Sequence, residues 1–309
     1  MVYHKRPYLK FMSGSKEQYE IIDYCSIRPN RLTFFSASSK PRTRSLAQIN
    51  ASSLLRNNEK SKDYSKKSKK RIGDCLAWLL ELSKNEKFYS IKHKRTFSLK
   101  VNFITLTLSS KQIHSDNEIK SKLLDQFFTE LRTKYNVEHY IWCAEPQKNG
   151  NIHFHITTNK YVAWWDIRKS WNRIQDKLGY TSRFFDKFGH NDPNSIDVHA
   201  VRNIKNLPAY LFKYFTKDNK IREIQGRRWG LSQSLSRLKS CCLFNYDEAN
   251  TELSQIYNKY LEKVKFYDYA DVLYIPFAWL RKMNMKYLSQ KFDEYIENII
   301  HPPPKLIST

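Results

Sequence analysis

The run NGNIHFHITTN, residues 149–159, alternates bulky apolar residues with polar ones. In a β-strand, successive side chains point to opposite faces. Ile152, Phe154 and Ile156 therefore face one way, and His153, His155 and Thr157 the other. The apolar face needs a packed partner layer. The imidazole face is either the outer side of a half-exposed strand or a set of ligands, and the rest of the chain has to decide between these.

The flanking pattern predicts the partner layer. TFSLKVNFITLTLSS, from Thr96, alternates and is β-branched, so it reads as a strand. HSDNEIKSKLLDQFFTELRTKY follows as a helix, with Ser115 or Asp116 placed to cap it. VEHYIWCAEPQ is a second strand, joined to the histidine strand by a turn at Lys148-Asn149-Gly150. AWWDIRKSWNRIQDKLG is a helix with Gly179 just past its end, SIDVHAV a strand, and NLPAYLFKYFTKDN a helix with Pro208 in its first turn. Strand, helix, hairpin, helix, strand, helix is the order of an antiparallel sheet with helices packed on it, an α+β fold.

Three regions are expected. Residues 1–95 form a basic N-terminal region, flexible or only partly ordered at 36–71, where Ser, Lys, Arg and Asn dominate. IGDCLAWLLELSKN within it reads as a short amphipathic helix ending near Asn85. Residues 96–240 form the sheet domain. Residues 241–309 read as mostly helical, with HPPPKLIST a frayed tail.

Lys and Arg total 54 against 30 acidic residues, a formal net charge of +24. So large an excess points to a polyanionic partner, nucleic acid first and an anionic membrane surface second. No apolar run approaches the roughly 20 residues of a membrane span, and MVYHKRPYLKFMSGS lacks the apolar core of a signal peptide. The expected location is the cytoplasm. Cys25, Cys75, Cys143, Cys241 and Cys242 contain no C-x-x-C pair, which suggests reduced, buried thiols rather than a disulfide framework or a structural zinc site. None of the seven glycines falls in a Walker or G-x-G-x-x-G pattern. Any duplex unwinding is therefore expected from a partner. The 20 tyrosines, set among lysines, suit stacking on unpaired bases.

YLFKYFTK is the second informative run. On a helix Tyr210, Lys213, Tyr214 and Lys217 fall at i, i+3, i+4 and i+7, one continuous stripe. Leu211, Phe212 and Phe215 lie beside it and can anchor the helix. A phenol with an ordinary pKa of about 10 is a poor nucleophile. Neighbouring ammonium groups and a metal-bound phosphate favour its phenolate. His153, His155 and one acid are the expected metal ligands. Glu145 is the leading candidate, because it ends the strand that the Lys-Asn-Gly turn pairs with the histidine strand; His199 is an alternative. No H-E-x-x-H or cysteine-containing zinc-hydrolase pattern is present.

FITLTLSS, HFHI and YLFKYFTK, in that order, resemble the three ordered motifs of the HUH endonucleases that initiate rolling-circle replication in phages and plasmids, in particular the two-tyrosine branch. The resemblance covers roughly residues 96–236. It implies a ferredoxin-like or RRM-like sheet and nicking of single-stranded origin DNA with Mg²⁺ or Mn²⁺. The products would be a 5′-phosphotyrosine and a free 3′-OH, with a host helicase and DNA polymerase as partners. The family's metal histidines carry over to His153 and His155, its upstream acid to Glu145 and its nucleophiles to Tyr210 and Tyr214. QGRRWGLS is similar to a segment that follows the tyrosine helix in some members, where Arg227, Arg228 and Trp229 suit DNA contact or closure of the sheet. The alternative is a non-catalytic RRM-like module that holds single strands, but such modules present aromatics on the sheet face, where this strand offers histidines.

Overall fold

The structure, a computed structural model, describes residues 21–38, 65–90, 94–200, 211–213, 215, 221–244 and 250–300. The chain divides into two compact units, Lys60–Lys239 and the pair of segments Met1–Glu59 and Ser240–Thr309. The second of these starts with a hairpin of β1 (Ile21–Arg28) and β2 (Arg31–Ser38), in which Arg28 pairs with Arg31.

The Lys60–Lys239 unit begins with α1 (Lys66–Leu82) and a hairpin of β3 (Glu86–Ser90) and β4 (Arg95–Leu99). Helix therefore covers the last six residues of the stretch expected to be flexible; residues 39–64 lie outside the described residues. The run TFSLKVNFITLTLSS is two strands, not one. It breaks at Lys100–Val101, and its second part, β5 (Asn102–Leu106), enters a different sheet.

Ser115 closes a capping box with Glu118 at the start of α2 (Asp116–Ile119). A π-helical turn, Lys120–Leu124, leads from there into α3 (Asp125–Thr133). Next come β6 (Tyr140–Pro146), β7 (Ile152–Thr158), α4 (Trp164–Asp176), α5 (Tyr180–Phe188) and β8 (Ile196–Ala200). A short strand, β9 (Trp229–Leu231), and a one-turn helix, α6 (Gln233–Ser236), complete the unit.

The sheet order is β8-β5-β7-β6-β9, antiparallel throughout. The first four strands with their helices make the βαββαβ arrangement of a ferredoxin-like fold, and β9 adds an edge beside β6. Gly230 permits that edge: a Cβ there would come within 2.7 Å of the Trp142 indole nitrogen. Ile104, Leu106, Trp142, Ile152, Phe154 and Ile156 share one sheet face and pack with Phe127, Phe128, Ile167 and Trp171 from the helices. Trp171 is fully buried, and its indole N–H donates to the Thr107 carbonyl at 2.7 Å.

The chain then returns to its first two strands. β10 (Cys241–Phe244) pairs with β1. After α7 (Asn250–Lys259), the hairpin of β11 (Val264–Tyr267) and β12 (Ala270–Leu273) pairs with β2. Two helices, α8 (Phe277–Lys282) and α9 (Lys286–Ile300), follow, and Phe277 packs on Phe292 with ring centres 4.0 Å apart. The region after residue 240 thus contributes three strands as well as helices, and its sheet includes strands from the N-terminal region. Sequence periodicity could not show this, because the pairing joins segments from opposite ends of the chain. Four of the cysteines are buried and unpaired; Cys242 is exposed. No helix among the described residues is long and apolar enough to cross a membrane.

One polar cluster ties the loop at 221–225 to the β6–β7 turn. The Arg222 guanidinium meets the Asp116 carboxylate through two bonds of 2.7 Å and also donates to the Gly150 carbonyl at 2.7 Å. Gln112 donates to Asp116 and accepts from the Ile152 N–H, one residue before His153. Burial pushes the Asp116 carboxyl up, but bonds from Arg222, Gln112 and the Gln225 N–H outweigh it and hold the group below its ordinary 3.8. Its stabilisation is therefore complete above pH 3.8 and is lost as the pH falls through the lowered value. Arg222→Ala leaves a buried carboxylate unpaired and should cost about 3–5 kcal/mol in urea unfolding. Adding Asp116→Asn, which removes that charge, should recover part of the loss. Equal destabilisation by the single and double variants would show that charge pairing is not what holds the loop.

Candidate metal centre

The β6–β7 hairpin builds the centre. Its turn closes with the Gly150 N–H donating to the Gln147 carbonyl at 2.9 Å, and Gly150 has a φ of 85°, a left-handed conformation that glycine adopts without a Cβ clash. The resulting register sets Glu145 opposite His153 and Cys143 opposite His155. Directly paired residues share a face, so the carboxylate and both imidazoles lie on the side away from the helical core. Glu145 Oε2 is 3.6 Å from His153 Nε2 and 3.7 Å from His155 Nε2. One ligand atom from each of the three falls within 4.8 Å of the others, a group able to hold a metal ion.

The donors are preset for that task. Burial would raise the Glu145 carboxyl, but the neighbouring imidazoles of His153 and His155 lower it to about 2. At neutral pH it is an ionised ligand. Thr105, opposite His155 on β5, places its Oγ1 3.0 Å from His155 Nδ1. When Nδ1 carries the proton and donates to that oxygen, Nε2 is left as a lone-pair donor facing Glu145, which is how second-shell bonds fix a histidine ligand. Phe103 stacks on the same ring at 5.5 Å. Cys143 shares this face, but burial, and then the charge of Glu145, pushes its thiol well up, so it stays a neutral S–H rather than a thiolate ligand. Two nitrogens and one carboxylate oxygen suit a divalent cation and leave coordination positions for substrate oxygens.

The expected imidazole face is not half-exposed. His155 is buried, and Thr157, Ile141 and Cys143 are fully so. α1 packs against β6, and Leu211 and Phe215 are completely buried. Leu211, Phe212, Lys213 and Phe215 are helical, as expected, with Lys213 exposed. Tyr210, Tyr214 and Lys217 lie outside the described residues, as does the side chain of His199, whose backbone pairs with Phe103 on β5. Trp229 pairs with Cys143 and so lies on the imidazole side of the edge strand; it closes the sheet. The Arg228 carbonyl accepts from the Ala144 N–H, and Arg227 is exposed. Thr105 and Phe103 escaped the sequence reading, although FITLTLSS places both on one face of its strand. Which strand would lie beside β7 was the missing information.

Residues 101–219 match the family model described as a replication-associated protein of the ORF2 type. The match takes in all three metal-group residues and supports a replication initiator. No curated protein and no solved structure matches the chain.

A divalent ion that binds the folded centre must stabilise it by mass action, by about 2.7 kcal/mol at an ion concentration near 100 times Kd. Mn²⁺ should therefore raise the thermal midpoint of the protein but not that of His153→Ala/His155→Ala or of Glu145→Ala. An equal rise in the variants would place the ion elsewhere.

Proposed function

We propose that this protein initiates rolling-circle replication by nicking single-stranded origin DNA through a tyrosine and rejoins the strands at termination. The observation that carries this reading is the Glu145, His153 and His155 group inside the region that matches a replication-associated family. Mg²⁺ or Mn²⁺ held there would supply Lewis-acid polarisation of a phosphate oxygen.

Tyr210 or Tyr214 supplies the nucleophile. Its Oη forms a bond to phosphorus and loses its proton, while the bond from phosphorus to the 3′ oxygen breaks and that oxygen takes up a proton. The products are a 5′-phosphotyrosine and a 3′-OH that primes a DNA polymerase. Lys213 and Lys217 offset phosphate charge and favour the phenolate. Thr105 keeps the His155 ring aimed at the site, and Arg227, Arg228 and Trp229 contact the strand beside it. A host helicase opens the duplex. Two tyrosines give an enzyme already joined to one 5′ end a second nucleophile with which to cut the regenerated origin.

The test uses labelled circular single-stranded DNA containing the origin, with Mn²⁺. The protein should form an adduct that survives denaturation. Tyr210→Phe and Tyr214→Phe should each still form it, on the remaining tyrosine by peptide mapping, and the double variant should form none. An adduct on one tyrosine whatever the variant would reduce the protein to a one-tyrosine enzyme. Tight binding of the DNA without any adduct would make it a binding module.

A further inference from the structure

The first six residues of α1, Lys66-Lys67-Ser68-Lys69-Lys70-Arg71, carry five cations, and no acid lies in the first turn. This arrangement works against the helix. Cations are disfavoured at the end where backbone N–H groups point outward. Like charges at i, i+3 and i, i+4, here Lys66 with Lys69 and Lys70, and Lys67 with Lys70 and Arg71, repel. Four of the five are exposed, and none pairs with an acid among the described residues. Folding has no use for them.

The rest of the helix shows where they stand. Every residue from Asp74 to Leu79 is buried, so the second half is embedded while the first two turns project. α1 packs against β6, the strand that ends in Glu145. A Cβ added to Gly73 would lie 3.8 Å from the Phe212 ring, so Gly73 faces the segment in which Phe212 falls between Tyr210 and Tyr214 in sequence. Lys69 and Lys70 precede Gly73 by one helical turn.

We propose that the cationic first two turns of α1 bind the sugar–phosphate backbone of single-stranded DNA and lead it toward the metal centre. The assignment of the strand as DNA rests on the nicking reading; the phosphate chemistry rests on α1 alone. This surface lies outside the family-matched residues 101–219 and extends the substrate path into the N-terminal region. Sequence-independent contact is expected, since lysines on a helix surface meet phosphates rather than base edges.

The test is the salt dependence of binding, measured by anisotropy on a labelled oligonucleotide of arbitrary sequence. Full-length His153→Ala/His155→Ala protein serves as the reference, so that no cleavage intervenes. Each phosphate neutralised on a single strand contributes about 0.7 to the slope of log affinity against log salt. Lys66→Gln/Lys67→Gln/Lys70→Gln in that background should lower the slope by about 2 and weaken binding by roughly tenfold or more at low salt. The corresponding triple Arg variant should keep both. With the repulsion removed, the Gln variant should unfold at the same temperature as the reference or higher. Unchanged slope and affinity would overturn the proposal. So would an early-melting Gln variant, or a loss confined to binding of phosphatidylserine vesicles. If the unmodified protein forms no tyrosine adduct but the slope falls as stated, the nicking reading fails and this surface stands.

Discussion

The cross-strand pairing of Glu145 with His153 is the contact on which the site depends. A strand has a side-chain period of two, so a slip of one residue would turn both imidazoles into the apolar core and Phe154 out of it. Ile152, Phe154 and Ile156, each fully buried against the helical layer, make that slip prohibitively costly. The Gly150 turn sets the same register from the other end. Hydrophobic packing on one face therefore aims the ligands on the other, and no feature of the ligands themselves has to do so.

Enclosure of the ligand face is what makes the group chemically distinct. Two imidazoles and a carboxylate on an open sheet would be separated by water and would interact weakly. Here Ile141, Cys143 and Thr157 are fully buried around them, with Leu211, Phe215 and α1 supplying further apolar cover within the same unit. In that setting the carboxylate stays ionised because imidazole neighbours outweigh its burial. The Asp116–Arg222 cluster extends this order outward. It fixes the hairpin turn and the loop that follows the tyrosine-bearing run to one another, through Gly150 and Ile152.

What could be read from residues followed their periods. The alternation in NIHFHI named the strand, its faces and the paired histidines; the Lys-Asn-Gly turn named the partner strand, and with it Glu145. Leu211 and Phe215, four apart, named the anchoring side of the helical run. Thr105 and Phe103 stayed hidden, because the neighbour of β7 across the sheet is a long-range fact. The split of TFSLKVNFITLTLSS between two sheets was equally invisible, since both halves alternate and only their partners differ.

The sequence by itself determined the α+β class, the βαββαβ order, the three metal-group residues and the basic character that calls for a polyanion. Each of these is local: a period, a turn or a charge count. Tertiary structure decided the sheet order, the burial of the imidazole face, the tautomer-setting contact of Thr105 and the union of N- and C-terminal strands in one sheet. It also decided that the basic residues of α1 project from a helix embedded in the unit of the metal centre. Those outcomes depend on which distant surfaces exclude water together, and no period in a single segment encodes its partner.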